Sequence, residues 1–243
     1  MYSVINIQGQ DRLELLQGLI TTDVHSKQHH KTCWCDAKGR VLADALMVYQ
    51  PHALLALVHT TVANIVINHI NHYKILADVH CSIEPYILSN NPINTHSITA
   101  KLLDNLSISL TPNPVTENRL DQHWQQKRYQ HHYIHVEKAT SGLFLPQSFG
   151  YDLHDMVNLH KGCYLGQEVL ARLTRLGTLK RKLYQLSSNQ AGIGSKIYCQ
   201  EKEIGTLIDN TQQTSYAILS QPHQTKLTTS TGEEISSVQC LIP

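Results

Sequence analysis

The sequence predicts an α+β fold with a largely antiparallel sheet, followed by a small C-terminal barrel or sandwich. Three observations carry this. Strand-like and helix-like runs follow one another in the first half without a regular βαβ beat. From about Leu179 the texture changes to short β-rich runs separated by turn residues. The chain has 243 residues, 41% of them hydrophobic, so it can bury a core without disulfide or metal staples and is too apolar to be disordered.

Taken in order, Tyr2 to Ile7 reads as a strand that Gly9 breaks. Asp11 to Ile20 reads as an amphipathic helix: Leu13, Leu16, Leu19 and Ile20 keep helical spacing, and Asp11 stands as a cap three residues before Glu14. Lys31 to Asp36 and Arg40 to Tyr49 form a hairpin around Asp36-Ala37-Lys38-Gly39. Leu54 to His59 is a strand, and Val62, Ile65, Val66, His69, Ile70 and Tyr73 mark a helix face. Alternation at Val79, Cys81 and Ile83 predicts another strand. Ser97 to Asn105 reads as a short helix, Leu106 to Leu110 as a strand, Asn118 to Gln130 as a polar, weak helix and Tyr133 to Glu137 as a strand. Lys138 to Tyr151 is irregular. Five β-rich runs close the chain: Leu183 to Leu186, Lys196 to Cys199, Ile204 to Ile208, Ser215 to Leu219 and Val238 to Ile242.

Composition excludes several classes. A formal charge of +1 argues against a strongly basic nucleic-acid binder. The longest apolar run, Ala53 to Val58, falls far short of the roughly 18 residues of a membrane span. Met1 to Ile5 lacks the basic and apolar regions of a signal peptide, so a cytoplasmic chain with reduced thiols is expected. Cys33 and Cys35 share one face of a predicted strand, but two thiols are too few for a zinc site. The pairs His29-His30 and His131-His132 read as surface or structural residues. There is no nucleophile elbow, phosphate-binding loop or paired-histidine zinc motif.

The densest signal is His160 to Arg172, where Gly162 and Gly166 bracket Cys163-Tyr164 and a helix is predicted just after Gly166. Glu168 in its first turn suits the positive end of the helix dipole. A thiol ahead of a helix N-terminus and beside Lys161 is drawn toward thiolate, which makes Cys163 the candidate reactive or metal-ligating cysteine. The same residues also fit a tight loop whose cysteine simply packs.

Lys161-Gly162-Cys163-Tyr164-Leu165-Gly166-Gln167-Glu168 resembles the K-G-C-Y-x-G-Q-E signature of the folate-binding YgfZ proteins, a branch of the glycine-cleavage T-protein (aminomethyltransferase) superfamily that includes mitochondrial iron–sulfur assembly homologues. Gly9, Asp11, Leu16, Gln17, Gly18, Thr22, Asp23 and Val24 resemble the family's opening helix and its T-x-D-V end. Cys35 to Arg40 is similar to its D-x-x-G-R/K hairpin, and Phe144-Leu145-Pro146-Gln147 to its F-x-P-Q stretch. The resemblance runs from Gly9 to about Arg181, is poor over residues 85 to 125, and covers the C-terminal part in position and texture only.

The resemblance implies a T-protein-like ring of α+β units around a central channel for tetrahydrofolate, with an aminomethyltransferase-like region over residues 1–178 and a barrel-like domain over 179–243. It puts Tyr2 near the folate wall. The T-protein's pterin-binding glutamate can be placed in two registers. The gap-free one lays Arg128-Tyr129-Gln130 on that stretch, with Gln130 as ligand, and is preferred; a looser one makes Glu137 the ligand. Asp44-Ala45-Leu46-Met47-Val48-Tyr49 resembles the T-protein's D-D-L-x-V-Y strand, with Ala45 in place of the second aspartate. That loss argues against aminomethyl transfer, while the loop cysteine, absent from the T-protein, points to the YgfZ side. The function implied is tetrahydrofolate binding in support of iron–sulfur enzyme assembly or repair. Cys163 is then a functional thiol and transient cluster ligand, with assembly factors or client enzymes as partners. Effects on tRNA modification would be indirect, without direct nucleic-acid or membrane contact, in a monomer. The alternatives are a folate-dependent one-carbon transferase and a folate-binding relic with a structural Cys163.

Overall fold

The computed structural model describes residues 1–25, 29–187, 190–220 and 227–242. It is an α+β structure built on three sheets. The first contains β1 (Tyr2–Gln8), β2 (His29–Cys35), β3 (Val41–Gln50), β4 (Ala53–His59) and β5 (His80–Glu84), all antiparallel in the order β2-β3-β4-β1-β5. Helix α1 (Arg12–Leu19) buries Leu16 and Leu19, and α2 (Ala63–Tyr73) buries Ala63, Val66 and Ile70. β3 and β4 are buried on both faces, which is why they read as nearly continuous apolar runs.

Asp11 stands at the N-cap of α1, and its carbonyl accepts from Leu15 N–H at 2.9 Å, but its side chain makes no cap bond. Its carboxylate accepts from the Asp78 backbone N–H at 2.7 Å, tying the helix entry to the start of β5. The hairpin is as expected: Asp36 Oδ1 accepts from the N–H groups of Lys38 and Arg40 at 2.8 Å each, and Gly39 adopts φ 73°.

The second sheet contains β6 (Tyr86–Ser89), β7 (Ile98–Leu103), β8 (Leu106–Pro112) and β9 (Glu117–Arg119), in the order β7-β8-β6-β9, with β6 and β9 parallel. The helix expected over Ser97 to Asn105 is therefore a strand and turn. Thr99 and Lys101 are exposed and alternate with the buried Ala100 and Leu102, a period of two that a helix cannot bury. The polar stretch from Asn118 divides in the same way. Its start belongs to β9, and α3 (Gln122–Gln130) begins only where Asp121 Oδ1 accepts from Trp124 N–H at 2.7 Å.

Tyr133 to Val136 is buried and Glu137 half-buried, and the segment joins no ladder. Several of its backbone groups find partners outside any ladder: Tyr133 O accepts from Arg128, Ile134 O from the Tyr151 hydroxyl, and the N–H groups of Val136 and Glu137 donate to Asp44 and Thr140 Oγ1.

After α4 (Gln167–Leu176) come β10 (Arg181–Ser187), β11 (Lys196–Cys199), β12 (Lys202–Asn210), β13 (Thr214–Ser220), β14 (Leu227–Thr229), β15 (Glu234–Ile235) and β16 (Val238–Cys240). They form a nearly closed barrel sheet in the order β15-β14-β11-β12-β13-β10-β16. Its strands serve two cores. Tyr184, Leu186, Ala217 and Leu219 fill the barrel, while the alternating Leu183, Tyr216 and Ile218 join the main core. The region from 179 on is thus a distinct sheet, but one face of it closes the body.

Candidate functional site

The hairpin and the cysteine loop meet backbone to backbone. Gly166 lies at φ 82°, and a Cβ there would stand 2.6 Å from Gly39 Cα and 2.7 Å from Asp36 O. Leu165 N–H donates to Gly18 O at 3.0 Å, and Gln167 holds the loop through Tyr164 N–H and the carbonyls of Leu159 and Lys161. Lys161 Nζ donates to the carbonyls of Ile20 and Thr22 at 2.8 Å each and lies 5.1 Å from the Tyr164 ring centroid. Burial brings its pKa down to about 8. The lysine expected to activate the thiol is therefore engaged in clamping the end of α1.

Cys163 itself is exposed, and α4 begins four residues later at Gln167, so the thiol stands outside the first helical turn. Glu168 is exposed and pairs with Arg172 at 2.8 Å. Burial pushes the thiols of Cys33 and Cys35 up, and that of Cys81 to about 11. Alkylation near neutral pH is expected to reach the exposed Cys163 and Cys240 first; mass spectrometry of partly labelled protein orders the six. Faster reaction at Cys163 than at Cys240 shows activation by the loop, and equal rates show simple exposure.

A second constellation is buried at the centre. Asp44 on β3 accepts from the Tyr133 hydroxyl at 2.8 Å, His135 Nδ1 at 2.6 Å and Val136 N–H at 2.8 Å. His135 Nε2 stands 2.7 Å from the Tyr2 hydroxyl. Burial alone would raise the Asp44 carboxyl, but His135 and the three hydrogen bonds outweigh it and hold the pKa below the ordinary range. Burial lowers the His135 imidazole more than Asp44 raises it, so the ring is neutral. Its Nδ1–H then faces the carboxylate, and Nε2 accepts from Tyr2. Tyr2 is 3% exposed, packs edge-on against Trp124 and His135, and is held protonated by burial. The chain Tyr2–His135–Asp44 resembles a proton relay in connectivity, but its donor is shut inside the core.

Arg128 is also buried. It donates to Tyr133 O at 2.8 Å and to Asp209 Oδ2 at 3.3 Å, and its guanidinium lies over the Tyr129 ring. Of the residues singled out for folate, Tyr2, Asp44 and Arg128 therefore have protein partners for their polar groups. Glu137 is half-buried and 3.8 Å from His59 Nε2. Burial raises the carboxyl, and burial lowers the imidazole to about 4, so this contact is not an ion pair.

Gln130 is placed differently. With Gln125, Gln126, Gln185, Gln212 and Gln213 it lines a cavity of about 840 Å³ between α3 and the barrel, walled by the stacked rings of Tyr129 and Tyr216. Sequence reasoning missed Tyr133, His135 and Asp209. No motif pairs position 44 with 135 or 128 with 209; only the alternation of Tyr133 and His135 in a short apolar run hinted at a shared inward face.

The whole chain superposes on the glycine cleavage system aminomethyltransferase T of Bartonella henselae with a TM-score of 0.69, covering 100% of this chain and 83% of that one at 9% identity. The fold is that of the aminomethyltransferases. Among curated relatives, the chain is 22% identical over 244 residues to the tRNA-modifying protein YgfZ of Serratia proteamaculans (strain 568), covering 84% of this chain and 74% of that protein. It is 22% identical over 228 residues to the protein of that name from Blochmanniella pennsylvanica (strain BPEN), covering 76% and 69%. Together with the Lys161–Glu168 signature, these make the chain similar to the YgfZ proteins, on a fold like that of the aminomethyltransferases. No protein-family model matches it.

Proposed function

We propose that this protein binds tetrahydrofolate or a related folate without transferring its one-carbon unit, and supports iron–sulfur enzymes that act in tRNA modification. The observation that carries this is Gln130, which the gap-free register puts at the pterin position and which lines the amide-rich cavity. A pterin edge presents adjacent donors and acceptors, and side-chain amides supply both. Tyr129 and Tyr216, stacked on each other, border this cavity and give it ring edges against which a heterocycle can pack. Bound folate would supply one-carbon chemistry, but the chain offers it no free carboxylate at the T-protein positions. Ala45 has no polar side-chain atom, and Asp44 is buried with both oxygens engaged.

The tRNA link comes from the name borne by the relatives. Cys163, exposed on its loop, supplies one thiolate ligand to a cluster in transit, with the remaining ligands coming from an assembly factor or client. The proposed setting is a cytoplasmic monomer. No helix among the described residues is long and apolar enough to cross a membrane.

Titration with tetrahydrofolate tests the reading. Gln130→Ala is expected to weaken binding roughly 5- to 30-fold, the loss of one or two polar contacts, while Glu137→Ala changes it less. The reverse order assigns the pterin to Glu137, and no loss from either removes folate from this cavity. In a glycine-cleavage assay with an aminomethyl-lipoyl carrier, no methylenetetrahydrofolate is expected. Turnover of about 1 per second or more would establish the transferase instead.

A further inference from the structure

A second cavity, of about 470 Å³, opens beyond the turn that ends α3. Gln130 and His132 line the amide-rich cavity, whereas His131 between them lines this one. The backbone is left-handed at His132 (φ 55°) and again at Asp155 (φ 57°), which lies on the wall of this cavity. Such angles in non-glycine residues are held in place by their surroundings and concentrate at binding sites.

The chemistry of this second wall differs from that of the first. Lys31 comes from β2 and Lys101 from β7, and the imidazoles of His29, His131 and His154 stand with them. The opposing carboxylates are Asp104 and Asp155. Asp104 sits with Lys101 in a pair at 3.0 Å, where both side chains are more than half exposed, so the pair is weak and free to open. His154 reports the local field: its pKa is brought to about 4 by burial and then by the positive charges of Lys31, His131 and His132. Leu102, Leu103 and Leu153 complete the lining with apolar surface. None of these groups takes part in the folate reading.

We propose that this cavity binds a phosphorylated small molecule, with its phosphate held by Lys31 and Lys101 and its organic part resting on Leu102, Leu103 and Leu153. Two ammonium groups and nearby imidazole N–H donors match a phosphate dianion, and the bond to each is charge-assisted. The volume falls within the range of small-molecule sites and exceeds what a bare ion fills. The site is independent of the folate cavity and separated from it by the Gln130-His131-His132 turn.

The test is calorimetric titration of the full chain with phenyl phosphate and, separately, with inorganic phosphate. Phenyl phosphate is expected to saturate with a Kd below about 1 mM and to bind more tightly than inorganic phosphate. Lys31→Gln combined with Lys101→Gln is expected to weaken it at least tenfold while tetrahydrofolate binding on the same sample stays unchanged. Should that variant melt at lower temperature than the parent, Lys101→Glu alone, at an exposed position, decides the matter by the same tenfold criterion. Absence of saturation, or parental affinity in the lysine variants, overturns the site. Equal affinity for the two probes overturns the apolar half of the assignment. Failure of tetrahydrofolate to bind while phenyl phosphate does would strike only the folate reading.

Discussion

Replacing Asp44 by alanine is expected to cost about 3–5 kcal/mol of folding stability, the scale seen when one partner of a buried charged network is removed. The loss comes less from the missing bonds than from what is left behind. The Tyr133 hydroxyl, the His135 Nδ1–H and the Val136 N–H would all face a dry core without an acceptor, and each stranded donor costs about 1–3 kcal/mol. Asp44→Asn keeps the shape and one acceptor oxygen and should cost less. Urea denaturation of the parent and the two variants checks the order; a loss below about 1 kcal/mol for Asp44→Ala would show that water reaches the network.

The same network sets a pH dependence. His135 has a folded pKa below its unfolded value of about 6.5 because burial disfavours the charged ring. Its stabilising contribution is therefore complete above pH 6.5 or so and is lost as the pH falls, since the unfolded chain takes up a proton that the folded chain resists. Asp44, also depressed, acts in the same direction at lower pH, below the ordinary 3.8 of its carboxyl. Stability should thus decline from pH 7 to 5 in the parent, and less steeply in His135→Gln. Parallel slopes would remove His135 as the cause.

The second large effect is expected at Gly166. Alanine there would have to adopt φ 82° and place its Cβ 2.6 Å from Gly39 Cα, 2.7 Å from Asp36 O and 2.9 Å from Gly39 N, all backbone atoms that cannot swing aside. The left-handed conformation alone costs about 1–2 kcal/mol, and separating the loop from the hairpin adds to it, for a total of about 3 kcal/mol or more. Gly162→Ala is the control. Nothing lies within 4 Å of its added Cβ, so a change within about 0.5 kcal/mol is expected. Equal effects at the two positions would contradict the packing of loop on hairpin. The contrast divides the signature into parts with different tasks. Lys161, Gly166 and Gln167 hold the loop, and the thiol of Cys163 is left facing solvent.

Much of this was legible in the chain itself. The Asp36–Gly39 turn, α1, α2 and the β-rich C-terminal part all follow from local chemistry: turn residues, 3.6-residue or two-residue periodicity, and side chains that bond their own backbone. The signature at Lys161 to Glu168 was also readable, because its residues lie together in sequence. Ser97 to Asn105 misled because a run of nine residues carries too few apolar positions to fix its period, and only pairing with β8 made it a strand. Asp11 misled because a carboxylate at a helix start has two possible partners, and the chain brought Asp78 to it from 67 residues away. What only the tertiary structure decided are the contacts with no sequence neighbourhood: Asp44 with His135, Arg128 with Asp209, and the division of β10 and β13 between two cores. Hydrogen bonds and packing act over a few ångströms of space, and folding brings together residues that stand 81 or 91 apart in sequence. A composition or a period cannot record which of them will meet.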